Sequence, residues 1–393
     1  MRPLRLGFHY HVPAVGKNGG TYLPGFFGRF VDSLAENCQT LVCFFHAASL
    51  VDATMCDYQL ESPNLQWVDL GPMHSAPYRT FFSKRFTRIA APHLISLDAI
   101  LLRGPSPLLP AMAAAAQECP VILLLVGDYL AGINSTRQPL LRKWLIRLWA
   151  TWNTHGQLQA AKRSLTLVNS HKLYNDLQFL VPNLVEVHTT TLTQDDFFER
   201  VDTCQTFPVR LFYAGRLSAA KGLFDVLTAM GKLVSQGEDL VFDFAGWPEP
   251  AESDIVERMS AFANGHGLAG RLNYLGYKSL GPDLLACYRQ ADIFVLASTS
   301  DFEGFPRAIW EAMANSLPVA ASRTGSIPAY TEGAAELFAP ARPDDLVAAL
   351  SRLLHQPELR QKYIRNGLVL AHQNSLNVQT KKMVEAINRW VER

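Results

Sequence analysis

Residues 292–325 limit the fold more than any other stretch of this chain. Asp292-Ile-Phe-Val-Leu-Ala297 is an apolar run of strand length. Gly304 and Pro306 break it, good helix formers resume from Ala308 to Ala314, and Leu317–Ala321 reads as the next strand. A strand, a Gly/Pro turn, a helix and a further strand form the repeating unit of a parallel sheet. The class is therefore α/β.

The turn also carries chemistry. A helix start after Gly304 presents unpaired backbone N–H groups and a positive dipole end, which suit phosphate or sugar oxygens. Pro306 gives up one donor and pre-sets the first helical turn. Glu303 stands at the mouth of the strand and Glu311 about two helical turns further on. Two carboxylates so placed can each accept a pair of sugar hydroxyls. A metal site or an acid/base pair is also chemically open, and so is the plain alternative of two solvated surface carboxylates.

A chain of 393 residues exceeds one ordinary domain, and 48% hydrophobic residues is enough for a large core. The net charge of +1 argues against a dedicated nucleic-acid binder. The six cysteines are scattered without a Cys-x-x-Cys pair or a Cys/His cluster, so zinc is not expected and a reducing compartment fits. A strand opens the chain at Leu4–Tyr10, no secretory signal precedes it, and no apolar run is long enough to span a bilayer. The expected location is the cytoplasm, with contact to the inner face of the membrane left open.

Val15-Gly-Lys-Asn-Gly19-Gly20-Thr21 reads as a glycine-rich loop between the first strand and a helical pattern that starts near Phe26. It is neither Gly-x-Gly-x-x-Gly nor a P-loop, which weakens dinucleotide and ATPase readings. Asp98–Arg103 and Pro120–Val126 are buried strands by composition. Arg103 and Asp128 follow at strand ends, where open parallel sheets hold ligands, and both are candidates for acceptor binding. Asp128 is also a catalytic candidate, with helix or turn capping as its structural alternative.

Two segments are both basic and apolar, 78–89 and 138–152. In the second, Leu141, Trp144, Leu145, Leu148 and Trp152 form a helical stripe flanked by Arg142, Lys143 and Arg147. Such a stripe suits a membrane interface; facing a domain core is the commoner fate. Residues 1–200 carry 17 Lys/Arg against 14 Asp/Glu, a net +3, which leaves −2 for the remainder. The polar stretch Thr193–Gln205 reads as an interdomain linker. Domains are expected at 1–200 and 206–372, with a last helix in 373–393.

The second domain opens on Val209-Arg-Leu-Phe-Tyr-Ala-Gly215-Arg216, followed by Lys221-Gly222. A planar bidentate Arg and a point-charge Lys beside a helix start make a clamp for a diphosphate, or simply two solvated cations. Gly-Arg-Leu followed by Lys-Gly, together with Glu303-Gly-Phe-Pro and Glu311-Ala-Met, resembles the retaining glycosyltransferases of family 4 (glycosyl transferases group 1), with the GT-B fold. The resemblance is close over 206–370 and covers the first half only in strand–helix order. It implies two Rossmann-like domains facing a cleft, with the 373–393 helix crossing back to the first. It implies a nucleoside-diphosphate sugar, UDP- or GDP-linked, on the C-terminal domain. Glu311 would then take the ribose hydroxyls and Glu303 the transferred sugar. Arg216 and Lys221 would hold the diphosphate, helped by backbone at Gly19, Gly20, Gly215, Gly246, Gly304 and Phe305, with Pro306 in the same turn and Tyr277 beside the base. Arg216, Lys221 and Glu303 would be catalytic through charge and positioning, without a metal or other cofactor. The acceptor would be a glycan or lipid-linked glycan of a bacterial surface. A 2-epimerase and a non-catalytic nucleotide-sugar-binding subunit are the alternatives on the same fold. A dehydrogenase lacks its fingerprint.

This sequence also departs from the family pattern. Thr21–Gly28 intervenes before the first helix, Trp247-Pro248 replaces a glycine-rich loop, and Ser326 and Ala329 replace a Gly and a Glu. No His occupies 127–128, so no catalytic His is carried over.

Overall fold

The computed structural model describes residues 3–49, 52–127, 140–300, 307–331 and 333–393. The chain forms two compact units, 1–191 together with 376–393, and 192–375.

Unit 1 contains β1 (Arg5–Lys17), β2 (Gly20–Leu23), α1 (Gly25–Glu36), β3 (Thr40–Ala47), β4 (Tyr58–Gln59) and β5 (Leu65–Pro72). These are followed by α2 (Ala76–Phe81), α3 (Ser83–Leu94), β6 (Ala99–Gly104), α4 (Leu109–Ala115), β7 (Val121–Leu125), α5 (Leu140–Ala161), β8 (Leu165–Val168), α6 (His171–Leu177) and β9 (Leu184–Glu186). The parallel strands run in the order β5-β3-β1-β6-β7-β8-β9. Alternation on β3 shows why both faces must be covered. Leu41, Cys43 and Phe45 join the core under α1, while Val42 and Phe44 join the core under α3 and α4.

One expectation for this half changes, and one alternative left open is decided. The Gly19-Gly20 loop is a β-hairpin: β1 runs on to Lys17 and pairs antiparallel with β2, Lys17 opposite Gly20. Asn18 and Gly19 both have positive φ, 52° and 75°, the backbone of a type I′ turn, which an Asn-Gly pair favours. From Trp144 on, the stripe on α5 faces outward, because the helix turns Ala150, Asn153, Gln157 and Ala161 to the interior and leaves Trp144, Leu145, Leu148 and Trp152 exposed; Leu141 lies outside the residues whose side chains are described.

Unit 2 contains β10 (Val209–Ala214), α7 (Leu223–Ser235), β11 (Leu240–Ala245), α8 (Ile255–Gly265), β12 (Leu272–Tyr274), α9 (Pro282–Gln290), β13 (Ile293–Leu296) and α10 (Arg307–Ala314). It continues with β14 (Val319–Ser322), α11 (Ile327–Thr331), β15 (Glu336–Phe338), α12 (Pro343–His355) and α13 (Pro357–Gln373). Its six parallel strands run β12-β11-β10-β13-β14-β15. Strands β11, β13 and β14 are buried along their whole length, as a sheet covered on both faces requires. Right-handed crossovers between parallel strands place the helices on those two faces.

The stretch expected to be a linker belongs to this unit. The Arg200 guanidinium donates to the carbonyls of Arg289 and Ala291, at 3.2 and 2.6 Å. Asp202 receives a two-point ion pair from the buried Arg360, at 2.8 and 3.0 Å. Polarity marked the segment as solvent-loving, yet its charges are spent on neighbours in the fold. The last helix, α14 (Leu376–Val391), returns to unit 1. Its Leu376, Met383, Val384 and Ile387 join the core with α1, and Thr380 and Ser33 share a hydroxyl hydrogen bond of 2.8 Å.

Candidate functional site

In unit 2 the strand order reverses between β10 and β13, so the crevice at their C-terminal ends is the switch point where open α/β sheets bind ligands. The rim there is built by glycines that let neighbouring backbones touch. The Gly215 N–H donates to the Ala245 carbonyl, and the Gly246 N–H donates to the Gly276 carbonyl, each at 3.0 Å. A Cβ on Gly246, whose φ is +147°, would lie 1.7 Å from the Gly215 oxygen. The chain ends after β10 and β11 are thereby locked together. The Leu217 N–H donates to the Trp247 carbonyl at 2.8 Å and the Glu249 N–H returns to the Leu217 carbonyl at 3.0 Å.

Arg216 sits in this locked rim. The buried Tyr213 hydroxyl donates to the Arg216 carbonyl at 2.6 Å and holds its backbone. Its guanidinium is exposed and paired with Glu249 at 2.8 Å. An exposed pair of this kind contributes little stability, so the cation can exchange Glu249 for a ligand anion at small cost.

Lys221 closes a single 3₁₀ turn, Ala219–Lys221. Gly222 follows with φ +68°, and a Cβ there would stand 1.9 Å from the Ala297 carbonyl at the end of β13. The Thr299 N–H donates to the Ala220 carbonyl at 2.9 Å. The Glu252 carboxylate accepts from the Ala219 N–H at about 3.1 Å. The turn carrying Lys221 is thus fastened directly to the chain that leaves β13.

Glu311 projects from α10 and is half-buried. Its Oε2 accepts the Tyr288 hydroxyl proton at 2.9 Å. Tyr288 lies on α9, fully buried; burial first and the Glu311 charge second push its phenol pKa well above the ordinary value. The phenol therefore stays protonated and orients one carboxylate oxygen. Tyr288 was not singled out in the sequence, since no local motif links it to a residue 23 positions away. The exposed rings of Trp247 and Tyr277 meet edge to face at 5.4 Å beside Gly246 and Gly276.

Unit 2 thus brings Gly215, Arg216, Lys221 and Gly246, with Tyr277, to the C-terminal ends of its strands, and Glu311 onto the helix after β13. Glu303, Gly304, Phe305 and Pro306 lie outside the described residues, as does Asp128. In unit 1 the Arg103 guanidinium lies over the Tyr10 ring at 4.8 Å and near Phe27 and Phe30, both at 5.4 Å. Gly20 packs against Gln59. Among the described residues no three His, Cys, Asp or Glu side chains gather as a metal site would need.

Residues 204–368 match the family model for glycosyl transferases group 1. The matched segment contains Arg216, Lys221, Gly246, Tyr277, Glu303 and Glu311. Among curated relatives, the chain is 28% identical over 188 residues to a D-inositol 3-phosphate glycosyltransferase of Corynebacterium jeikeium, covering 46% of this chain and 44% of that one. It is 31% identical over 157 residues to the amylovoran biosynthesis glycosyltransferase AmsK of Erwinia amylovora, covering 38% and 37%. These matches span less than half the length of each relative.

Solved structures match across nearly the whole chain. Anabaena Alr3699/HepE, in complex with UDP and glucose, has a TM-score of 0.68 at 15% identity and covers 98% of this chain and 100% of its own. A glycosyltransferase from Rickettsia africae has a TM-score of 0.71 at 14% identity, with both chains covered completely. At such identities the likeness is one of fold. The structural neighbours are GT-B glycosyltransferases, and the fold is α/β with two parallel-sheet units.

Proposed function

We propose that this protein is a retaining glycosyltransferase. It moves a sugar from a nucleoside-diphosphate sugar, UDP- or GDP-linked, to a hydroxyl of a glycan or lipid-linked glycan in bacterial surface polysaccharide or glycolipid synthesis. One observation carries the reading: within the group 1 segment, the switch point of unit 2 presents Arg216 and Lys221 from adjoining turns, with Glu311 on the next helix. Arg216 leaves Glu249 to hold the diphosphate beside Lys221. The two cations stabilise the negative charge that builds on the leaving diphosphate, so no metal is required for that step. Glu311, oriented by Tyr288, accepts the ribose hydroxyls, and Glu303 orients the transferred sugar. The acceptor oxygen attacks the anomeric carbon from the side the diphosphate leaves. The departing phosphate oxygen takes the acceptor's proton, so configuration is retained without a separate base. Arg103 and Asp128 are proposed on the acceptor side. Supporting the donor assignment, HepE has been solved with UDP-glucose.

The reading is tested by thermal shift against UDP, GDP, ADP and their sugar conjugates, with and without chelator. One nucleotide series should stabilise the protein equally in both conditions, and Arg216→Ala should lose the shift. Product analysis by NMR should give a new glycosidic bond of unchanged anomeric configuration. Glu303→Ala and Lys221→Ala should abolish transfer without changing the melt; full activity in either variant refutes the site.

A further inference from the structure

We propose that unit 1 docks on an anionic phospholipid bilayer through the outward faces of α2, the start of α3 and α5. The argument begins with α5, which is amphipathic the wrong way round for a core helix. Towards the interior it sends Ala150, Asn153, Gln157 and Ala161, small or polar residues, two of them hydrogen-bonded to each other. Towards solvent it sends Trp144, Leu145, Leu148 and Trp152, with both tryptophans about 60% exposed. Burying those four side chains is worth more than burying the four interior ones just named, so the described part of the helix is placed to offer them to something outside the chain. The Trp149 indole N–H donates to the Thr80 hydroxyl at 3.1 Å, which fastens α5 to α2. Next to Thr80 stand Phe81 and Phe82, 81% and 55% exposed, and these extend the apolar surface onto a second helix. A monomeric soluble protein rarely keeps such a patch bare.

Charge selects the occupant. No Asp or Glu occurs between Asp69 and Asp98 or between Asp128 and Asp176. Within those segments Lys84, Arg85, Arg88 and Arg147 are all exposed. A second copy of the chain would set this basic surface against itself. A bilayer of anionic lipid supplies the opposite charge and a boundary at which Trp and Phe rings settle. Two helices joined by a side-chain hydrogen bond, rather than one span, fit a protein that lies on the surface. Among the described residues no helix is long and apolar enough to cross a membrane.

The test needs no transferase assay, so it stands or falls apart from the donor-site reading. The full chain is sedimented with vesicles of phosphatidylcholine alone and of phosphatidylcholine with phosphatidylglycerol, and tryptophan emission is recorded. The expected result is sedimentation and a blue shift with phosphatidylglycerol only, weakened by salt. Each basic residue near the surface is worth roughly fivefold in partition, so Lys84→Gln, Arg85→Gln and Arg147→Gln together should cut binding about a hundredfold. Trp144→Ser with Trp152→Ser should abolish it. Both variants change exposed side chains and should melt like the parent. The proposal is overturned by sedimentation with neither vesicle or equally with both. It is also overturned if light scattering shows a dimer that the tryptophan pair variant dissociates, because the patch is then a contact between copies.

Discussion

Gly222→Ala tests whether the switch-point rim is as tight as described. At φ +68° an L side chain carries the left-handed cost, about 1–2 kcal/mol. Its Cβ would also lie 1.9 Å from the Ala297 carbonyl oxygen, a backbone atom that no rotamer change can move away. Separating the two chains to a normal contact is an overpacking strain of about 1–3 kcal/mol. The expected loss is therefore about 2–5 kcal/mol in unit 2. Gly267→Ala supplies the control, with φ +73° and open space around its Cβ, so it carries the conformational cost alone, about 1–2 kcal/mol. At about 2–4 °C per kcal/mol for a unit of this size, Gly222→Ala should melt several degrees below Gly267→Ala. Hydrogen exchange on peptides from β10 and β13 reads unit 2 by itself. Exchange should rise most at Thr299, whose N–H bonds to Ala220 across that contact. Equal losses in the two variants would show that the close approach is not there.

Other outcomes follow from single contacts. Tyr288→Phe removes the phenol that orients Glu311, and a hydrogen bond to a charged group is worth about 1.5–3 kcal/mol. Calorimetry should show nucleotide binding weakened about tenfold or more, and unchanged affinity would detach Tyr288 from the site. Burial lowers the pKa of His9 to about 3, where its unfolded value is 6.5, so the folded chain refuses a proton that the unfolded chain binds. The stability this confers is complete above pH 6.5 and is lost as pH falls from 6.5 towards 3. Urea titrations of unit 1 should lose about 2 kcal/mol from His9 alone between pH 7 and 5, and His46, lowered to about 4 chiefly by burial, adds to the loss. A flat profile would contradict the buried neutral imidazoles. Arg360→Ala strands Asp202 without its two-point partner and should cost unit 2 about 3–5 kcal/mol. Asp202→Ala added to it should restore part, as read by denaturant titration.

The sequence was most legible where burial is complete. The runs that became β10, β11 and β13 are apolar apart from Arg210 and Asp243, which pair with each other at 3.0 Å, because both faces of the sheet are covered, and the ends of β10 and β11 were marked by Gly-Arg and Gly-Trp-Pro. It was least legible where one pattern serves two structures. Asn18-Gly19 reads as an open glycine loop unless the polar residues before it are recognised as strand; His9, His11 and Pro13 inside β1 hid that continuation. The α5 stripe was visible as a period, but a period does not say which side of the helix the protein occupies. Arg200 and Asp202 looked like linker residues because their partners, Ala291 and Arg360, are distant in sequence. Tyr288 was silent for the same reason, whereas Arg216 and Lys221 stood in a local motif.

The return of α14 to unit 1 carries a consequence for how the chain is made. Unit 1 keeps part of its core in residues 376–391, while unit 2 is encoded without interruption between its two halves. On the ribosome, unit 2 has all its residues before unit 1 does. For the whole time it takes to synthesise 192–375, the surface of α1 that will receive Met383, Val384 and Ile387 stays uncovered. Unit 1 waits through that interval as an unfinished core, and completing its last helix is the event that ends the wait.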